Sequence, residues 1–371
     1  MTHAHMQQPM HAPTRTADYA HVVAAAPEER SHTRVLFVDW LRLLAAFQML
    51  QGHTIAALLA PAERVGLWYA LWSWARGLTS VAFLFAAGMS FYIATARNYV
   101  GHRDDPRAIS KRVRRGLKLI SIGYLLHAPA LALFTENAVG AQSALASWLQ
   151  VDVLQCIGVT LLCLEGCVVV LRRPEQLAAV AAVAATTLFA CTPIATQDAW
   201  PSLPHVIAAY LTPRHGSLFP LLPWSAHMFA GAAVAALVMR DRKRAPRLLL
   251  GMATLFILVA HALHVSSSQP VLYDHASRAG AVLLVCALLA ALTRRAPRMP
   301  RPLAALAGET LFLYVFHVVL VYGDGLGLAA RVGASLGAWG AVGCAVAVVV
   351  ASCVAGLGYH AFKVRRARRA A

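Results

Sequence analysis

Ten apolar stretches, each near the length that crosses a bilayer, recur between Val35 and Ala361. A hydrocarbon core of about 30 Å needs about 20 apolar residues wound as a helix. Backbone amides in lipid must also be bonded within their own segment. Together these leave one architecture for the chain, an all-α polytopic membrane protein. The expected spans are 35–59, 67–96, 113–134, 150–171, 175–195, 221–239, 246–265, 277–293, 302–322 and 336–361. Of the 371 residues, 59% are hydrophobic and only 13% charged; an ordinary soluble domain carries about 25% charged residues. One membrane domain over 35–361 is expected, with a disordered cytoplasmic tail at 1–34 and a basic cytoplasmic tail at 362–371. Residues 1–34 have no apolar core of signal-peptide length.

A formal charge of +17 would suit a nucleic-acid binder, but the distribution of the charge does not. With the N-terminus in the cytoplasm, 27 of the 33 Lys and Arg residues fall in cytoplasmic segments, densest at 97–118. Arg64, Arg76, Arg214, Arg278 and Arg331 fall on the other side, and Arg42 lies inside the first span. The positive-inside rule then sets both termini in the cytoplasm. Anionic lipid headgroups are the expected partner of the basic excess, and no nucleic acid is expected. Seven cysteines, mostly within spans and without a CxxC pair, do not form a disulfide framework. The tail histidines His3, His5, His11, His21 and His32 read better as part of an unstructured segment than as metal ligands, and no metal is expected. No internal repeat is visible, which disfavours repeat-built transporter folds. The longest non-cytoplasmic loop, about 196–220, carries His205 and His215 and reads equally as a lid or a plain connector.

Within the first span stand Asp39, Arg42 and His53. Ionisable groups inside a span are functional candidates by default. At ~100° per residue, Arg42 lies about 60° and His53 about 40° from Asp39, so one helix face carries all three. At ~1.5 Å per residue, His53 is roughly 21 Å deeper than Asp39. Such a stripe must line a cavity or pack on other helices. His317, in the ninth span, is expected at a similar depth, so the two histidines could share a cavity. Taken alone, His317 reads as well as a core histidine bonded to a backbone carbonyl. Asp152 and Gln155 lie about one turn apart at the outer end of the fourth span, as acceptor ligands or as a helix cap facing water. His127, followed by Ala128-Pro129, reads as a kink residue before a catalyst.

Residues 37–53, F-V-D-W-L-R-L-L-A-A-F-Q-M-L-Q-G-H, resemble the first span of integral-membrane acyltransferases. Those families share an Asp, an Arg three residues later, and a His or Asn fourteen residues after the Asp. The ordered set V-A-F-L-F-A-A-G-M-S at 81–90, V-L-Q-C-I-G-V at 153–159, L-F-P-L-L-P-W at 218–224 with Gly231 after it, and T-L-F-L-Y-V-F-H at 310–317 is similar to the bacterial form of the heparan-α-glucosaminide N-acetyltransferase catalytic family. The acyltransferase-3 type shares the first-span pattern and is a close rival. The chain departs from the family at Leu43, where Gly is usual, and at Cys156, where a basic residue often follows the Gln.

The resemblance implies transfer of an acyl group, acetyl in the family's case, from cytoplasmic acyl-coenzyme A to a sugar or glycan acceptor, in a bacterial inner membrane. It implies His53 as general base, since a neutral imidazole suits proton abstraction from a hydroxyl or amine. His317 and Tyr314 would position the acceptor or the thioester carbonyl. Asp152, Gln155 and Trp224 would bind the acceptor. Asp39 and Arg42 would pair at the cytoplasmic mouth. Lys111, Arg112, Arg114 and Arg115 would meet the coenzyme A phosphates. A transporter or flippase for a lipid-linked or anionic solute would use the same cavity without covalent chemistry, and a non-catalytic relative would use it for neither. A homodimer stays open. The charge partition generates a direct expectation: reporter fusions after Arg244 and Arg295 read out as cytoplasmic and a fusion near His215 reads out on the opposite side. A cytoplasmic signal at His215 would refute the topology.

Overall fold

The computed structural model describes residues 35–128, 144–145, 147–196, 203–213, 216–266, 269–323 and 326–370. The expectations for the 1–34 tail, for His215 and for the end of the third span past residue 128 lie outside these. The described residues are overwhelmingly helical. In chain order the helices are α1 Leu36–Leu58, α2 Gly66–Ala96, α3 Tyr99–Asp104, α4 Pro106–Leu126, α5 Val153–Val170, α6 Pro174–Ala190, α7 Thr192–Thr196, α8 His205–Leu211, α9 Leu221–Arg240, α10 Ala245–Val265, α11 Pro270–Arg295, α12 Arg301–Gly308, α13 Thr310–Tyr322, α14 Leu328–Val332 and α15 Ala338–Ala370. Residues Leu36–His360 form one compact unit. The end of α15 belongs to a second, and there Lys363, Arg365, Arg366, Arg368 and Arg369 are exposed.

Six of these helices, α2, α5, α9, α10, α11 and α15, are long and apolar enough to cross a membrane, and a seventh crossing results if α12 and α13 count as one. This is fewer than the expected ten, for identifiable reasons. The 23-residue α1 is long enough, but Asp39, Arg42, Gln48, Gln51 and His53 dilute its apolarity. The first half of α4 carries Arg107, Lys111, Arg112, Arg114 and Arg115. The 17-residue α6 is short. The stretch expected as a single ninth span bends by 73° at Glu309, between α12 and α13. All ten expected segments are nonetheless helical where they are described.

Small residues set the closest helix crossings. A Cβ on Gly88 of α2 would run into the Met228 carbonyl of α9, and one on Gly231 of α9 into the Phe85 carbonyl of α2. The two backbones are in mutual contact, the arrangement that small residues permit in membrane helices. Gly116 of α4 and Gly158 of α5 make a similar crossing, where a Cβ on Gly158 would lie 2.8 Å from the Gly116 carbonyl oxygen. The departure at Leu43 is also a packing feature. Its side chain is 1% exposed and joins Ala46, Leu306, Ala307 and Leu313 in a core cluster that seats α1 on the bend between α12 and α13. Beyond α1 the chain is clipped to the segment before α15: Ala60 N–H donates to the Leu336 carbonyl, and Leu336 N–H to the Leu58 carbonyl, each at 2.9 Å.

Exposed apolar side chains such as Leu255, Leu258 and Val265 on α10 fit a lipid-facing surface. Replacing Gly231 by Leu should separate α2 from α9. Overpacking of this kind costs about 1–3 kcal/mol, so the variant should unfold at a lower temperature in detergent. An unchanged midpoint would show that the crossing does not hold the bundle together.

Candidate functional site

Two histidines that are 264 residues apart in the chain meet between α1 and α13. His53 Nδ1 lies 3.0 Å from His317 Nε2, and the ring centroids are 5.1 Å apart. Each stands five residues before the end of its helix. The expectation of a shared depth is thus met in contact. Neighbouring groups fix the tautomers. His317 Nδ1 is 3.1 Å from the Leu313 carbonyl oxygen. A carbonyl only accepts, so Nδ1 carries the proton, and in a neutral imidazole Nε2 is then a lone pair. His53 Nδ1–H donates to that lone pair. The remaining nitrogen, His53 Nε2, is left as the acceptor, and no hydrogen bond among the described residues engages it. The carbonyl bond expected of His317 and its meeting with His53 therefore both occur, because the same ring serves both ends.

The ring of His53 is further framed by Tyr322, whose hydroxyl donates to the His53 backbone carbonyl at 3.1 Å and whose ring lies edge-on at 5.9 Å. One turn before His317, Tyr314 packs its ring against the imidazole at 5.6 Å. Its hydroxyl donates to Asp152 Oδ2 at 2.8 Å. His127 Nε2 approaches the same oxygen at 3.4 Å, while its Nδ1 donates to the Gly123 carbonyl at 2.9 Å. Asp152 is also the N-cap of α5, accepting from Val153 N–H at 2.7 Å. Both of its sequence readings, cap and site residue, are realised at once. Polar contacts thus tie α1 to α13 and α13 to α5 and α4, and the two sets meet on α13 where the Tyr314 ring packs on His317. Gln155 is fully buried against Gly123, and its side-chain amide has no partner among the described residues.

Other expected residues lie apart from these contacts. Asp39 and Arg42 do not pair. The Arg42 guanidinium crosses to α13, where Nη2 donates to Thr310 Oγ1 at 3.1 Å. Arg112 turns inward: Nη1 is 3.0 Å from Glu165 Oε2 of α5, and the guanidinium lies 5.2 Å from the centre of the Phe91 ring. Arg114 bonds Ser110 Oγ at 3.0 Å, and Lys111, Arg114 and Arg115 are exposed. Trp224 packs on a second imidazole pair, with His275 at 4.8 Å and His227 at 6.1 Å between centroids. His227 Nε2 and His275 Nδ1 are 3.0 Å apart. Sequence reasoning passes over this pair. The rule that singles out His53 applies equally to His227, inside the 221–239 stretch, whereas His275 falls just outside the 277–293 stretch and gives no signal. His127 was legible as a kink and not as a partner for Asp152.

The described residues fit a polytopic, all-helical membrane protein with an imidazole pair buried between its helices. Residues 34–266 match the family described as heparan-α-glucosaminide N-acetyltransferase, catalytic, and the chain belongs to that family. The match takes in Asp39, Arg42, His53, Asp152, Gln155 and Trp224 and ends before Tyr314 and His317, which the geometry supplies. Among curated proteins none matches the chain.

Proposed function

We propose that the protein transfers an acyl group, acetyl by its family, from cytoplasmic acyl-coenzyme A to a sugar or glycan acceptor on the membrane or periplasmic side of a bacterial inner membrane. The observation that carries this reading is the histidine pair, whose tautomers leave His53 Nε2 as a base. His53 takes the proton of the acceptor hydroxyl or amine as that group attacks the thioester carbonyl. The new C–O or C–N bond forms, the C–S bond breaks, and the thiolate leaves and is protonated. The positive charge that arises on His53 is held by its Nδ1–H bond to His317, since a hydrogen bond from a charged donor is about twice as strong as a neutral one. Tyr314, Asp152, Gln155 and Trp224 would hold the acceptor.

The exposed Lys111, Arg114 and Arg115 suit the phosphates of the donor. Arg112, expected in the same role, already spends its charge on Glu165. From Arg114 to His127 is about 20 Å along α4, so the donor would be gripped at one end of this helix and react near the other. Anionic lipids would surround the same basic end.

Removal of a general base typically lowers a rate by ~100- to 10,000-fold. His53→Ala should show that loss in acyl transfer measured with radiolabelled acetyl-coenzyme A, with expression unchanged. His53→Asn should fail equally, because an amide orients but does not usefully accept a proton. Full turnover in His53→Asn would make His53 a positioning group and move the base to His317. Vesicle transport of a solute by a parent protein that transfers no acyl group would replace the reading altogether. Arg114→Ala combined with Arg115→Ala should weaken calorimetric binding of a non-hydrolysable acyl-coenzyme A analogue, by about 1.5–3 kcal/mol for each charge-assisted bond lost. Unaltered affinity would take the donor phosphates elsewhere.

A further inference from the structure

Arg76 stands in α2, ten residues past Gly66, and thus about 15 Å along the helix. A charge at that position in an apolar helix is costly and calls for a partner. Other arginines of the bundle have theirs. Arg42 bonds Thr310, Arg112 pairs with Glu165, and Arg278 pairs with Asp274 and donates to the Gly77 carbonyl. The half-buried Arg76 guanidinium makes no hydrogen bond or ion pair with any described residue, so its five N–H donors are unspent.

Its position is nevertheless built. The guanidinium lies over the Trp72 ring, 5.6 Å from the centroid, a cation–π contact. Trp72 is fixed in turn by Nε1–H donating to Gln51 Oε1 at 3.0 Å. The aliphatic stem packs on Gly52, where a Cβ would come within 2.8 Å of Arg76 Cγ. Two consecutive residues of α1 therefore seat Arg76, and His53 is the next residue of the same turn. Gln51 holds the ring and Gly52 makes room for the stem. A permanently charged planar fork whose stem packs on the residue next to His53 matches a carboxylate, phosphate or sulfate oxygen pair.

We propose that Arg76 is the anion-binding residue of the His53 site and that the acceptor carries an acidic substituent near the group to be acylated. The proposal builds on the acyl-transfer reading, but anion binding is measurable without transfer. The test is calorimetric titration of the purified full-length protein at fixed ionic strength with glucose, glucuronate and glucose 1-phosphate. Glucuronate or glucose 1-phosphate should bind the parent at least about tenfold more tightly than glucose. Arg76→Gln should remove that preference, and Arg76→Lys should keep part of it. Because Arg76→Gln removes a charge that has no hydrogen bond or ion pair among the described residues and keeps most of the stem that packs on Gly52, its unfolding temperature should match or exceed that of the parent, which a structural role would not allow. Equal affinity for all three sugars, no binding of either anion, or a preference that survives in Arg76→Gln overturns the proposal. A fall in kcat towards a neutral acceptor, with no change in KM for an acidic one, would put the guanidinium on the reacting carbonyl and also overturns it. Arg76-dependent anion binding by a parent that transfers no acyl group supports the proposal and refutes the transfer reading alone.

Discussion

A polar group carried into hydrocarbon must find a partner or cost several kcal/mol, and this requirement organises the whole bundle. Nearly every helix of the core is tied to a sequence-distant one by such a group. His53 joins α1 to α13, Arg42 joins α1 to the head of α13, and Tyr314 joins α13 to Asp152 at the start of α5. Glu165 joins α5 to α4, and His227 joins α9 to α11. The tyrosine hydroxyl of Tyr92 does the same between α2 and the Pro174 carbonyl that begins α6. The candidate site is the part of this network where the His317–His53 bond leaves His53 Nε2 with no hydrogen-bond partner among the described residues.

Directional polar contacts need close backbones, and glycine supplies them. Gly52 admits the Arg76 stem, Gly77 admits the Arg278 guanidinium and Gly123 admits the Gln155 amide, each at a spot where a Cβ would clash. The motifs at 81–90 and 218–231 look like separate apolar words in the sequence. In the fold they are two halves of one crossing, because Gly88 faces the Met228 carbonyl and Gly231 the Phe85 carbonyl.

Hydropathy alone made the helical architecture legible, since lipid admits few other solutions. The meeting of His53 with His317 was legible too, because depth along two spans that both run outward is a count of residues. What hydropathy does not encode is bending. Gly308 and Glu309 interrupt nothing in the apolar count, yet the chain turns by 73° there, with Leu43 packed on both sides of the corner. Side-chain partners were equally hidden. Arg112 reads as one of a row of phosphate ligands until Glu165 is seen facing it across the α4–α5 contact. Asp39 and Arg42 share a helix face, but Arg42 reaches a better-placed oxygen on another helix. His275 gave no signal because its helix begins before the apolar run does.

The corner at Glu309 leaves α13 only thirteen residues long, about 20 Å of helix, set against about 30 Å of hydrocarbon. By itself α13 covers about two-thirds of that thickness, whereas the 23-residue α1 beside it covers all of it, so the imidazole pair joins a short helix to a full-length one. The remaining third of the crossing falls to α12, on the far side of the 73° corner, so a polar ligand that reached the pair would meet the side of a bend rather than the wall of a straight helix.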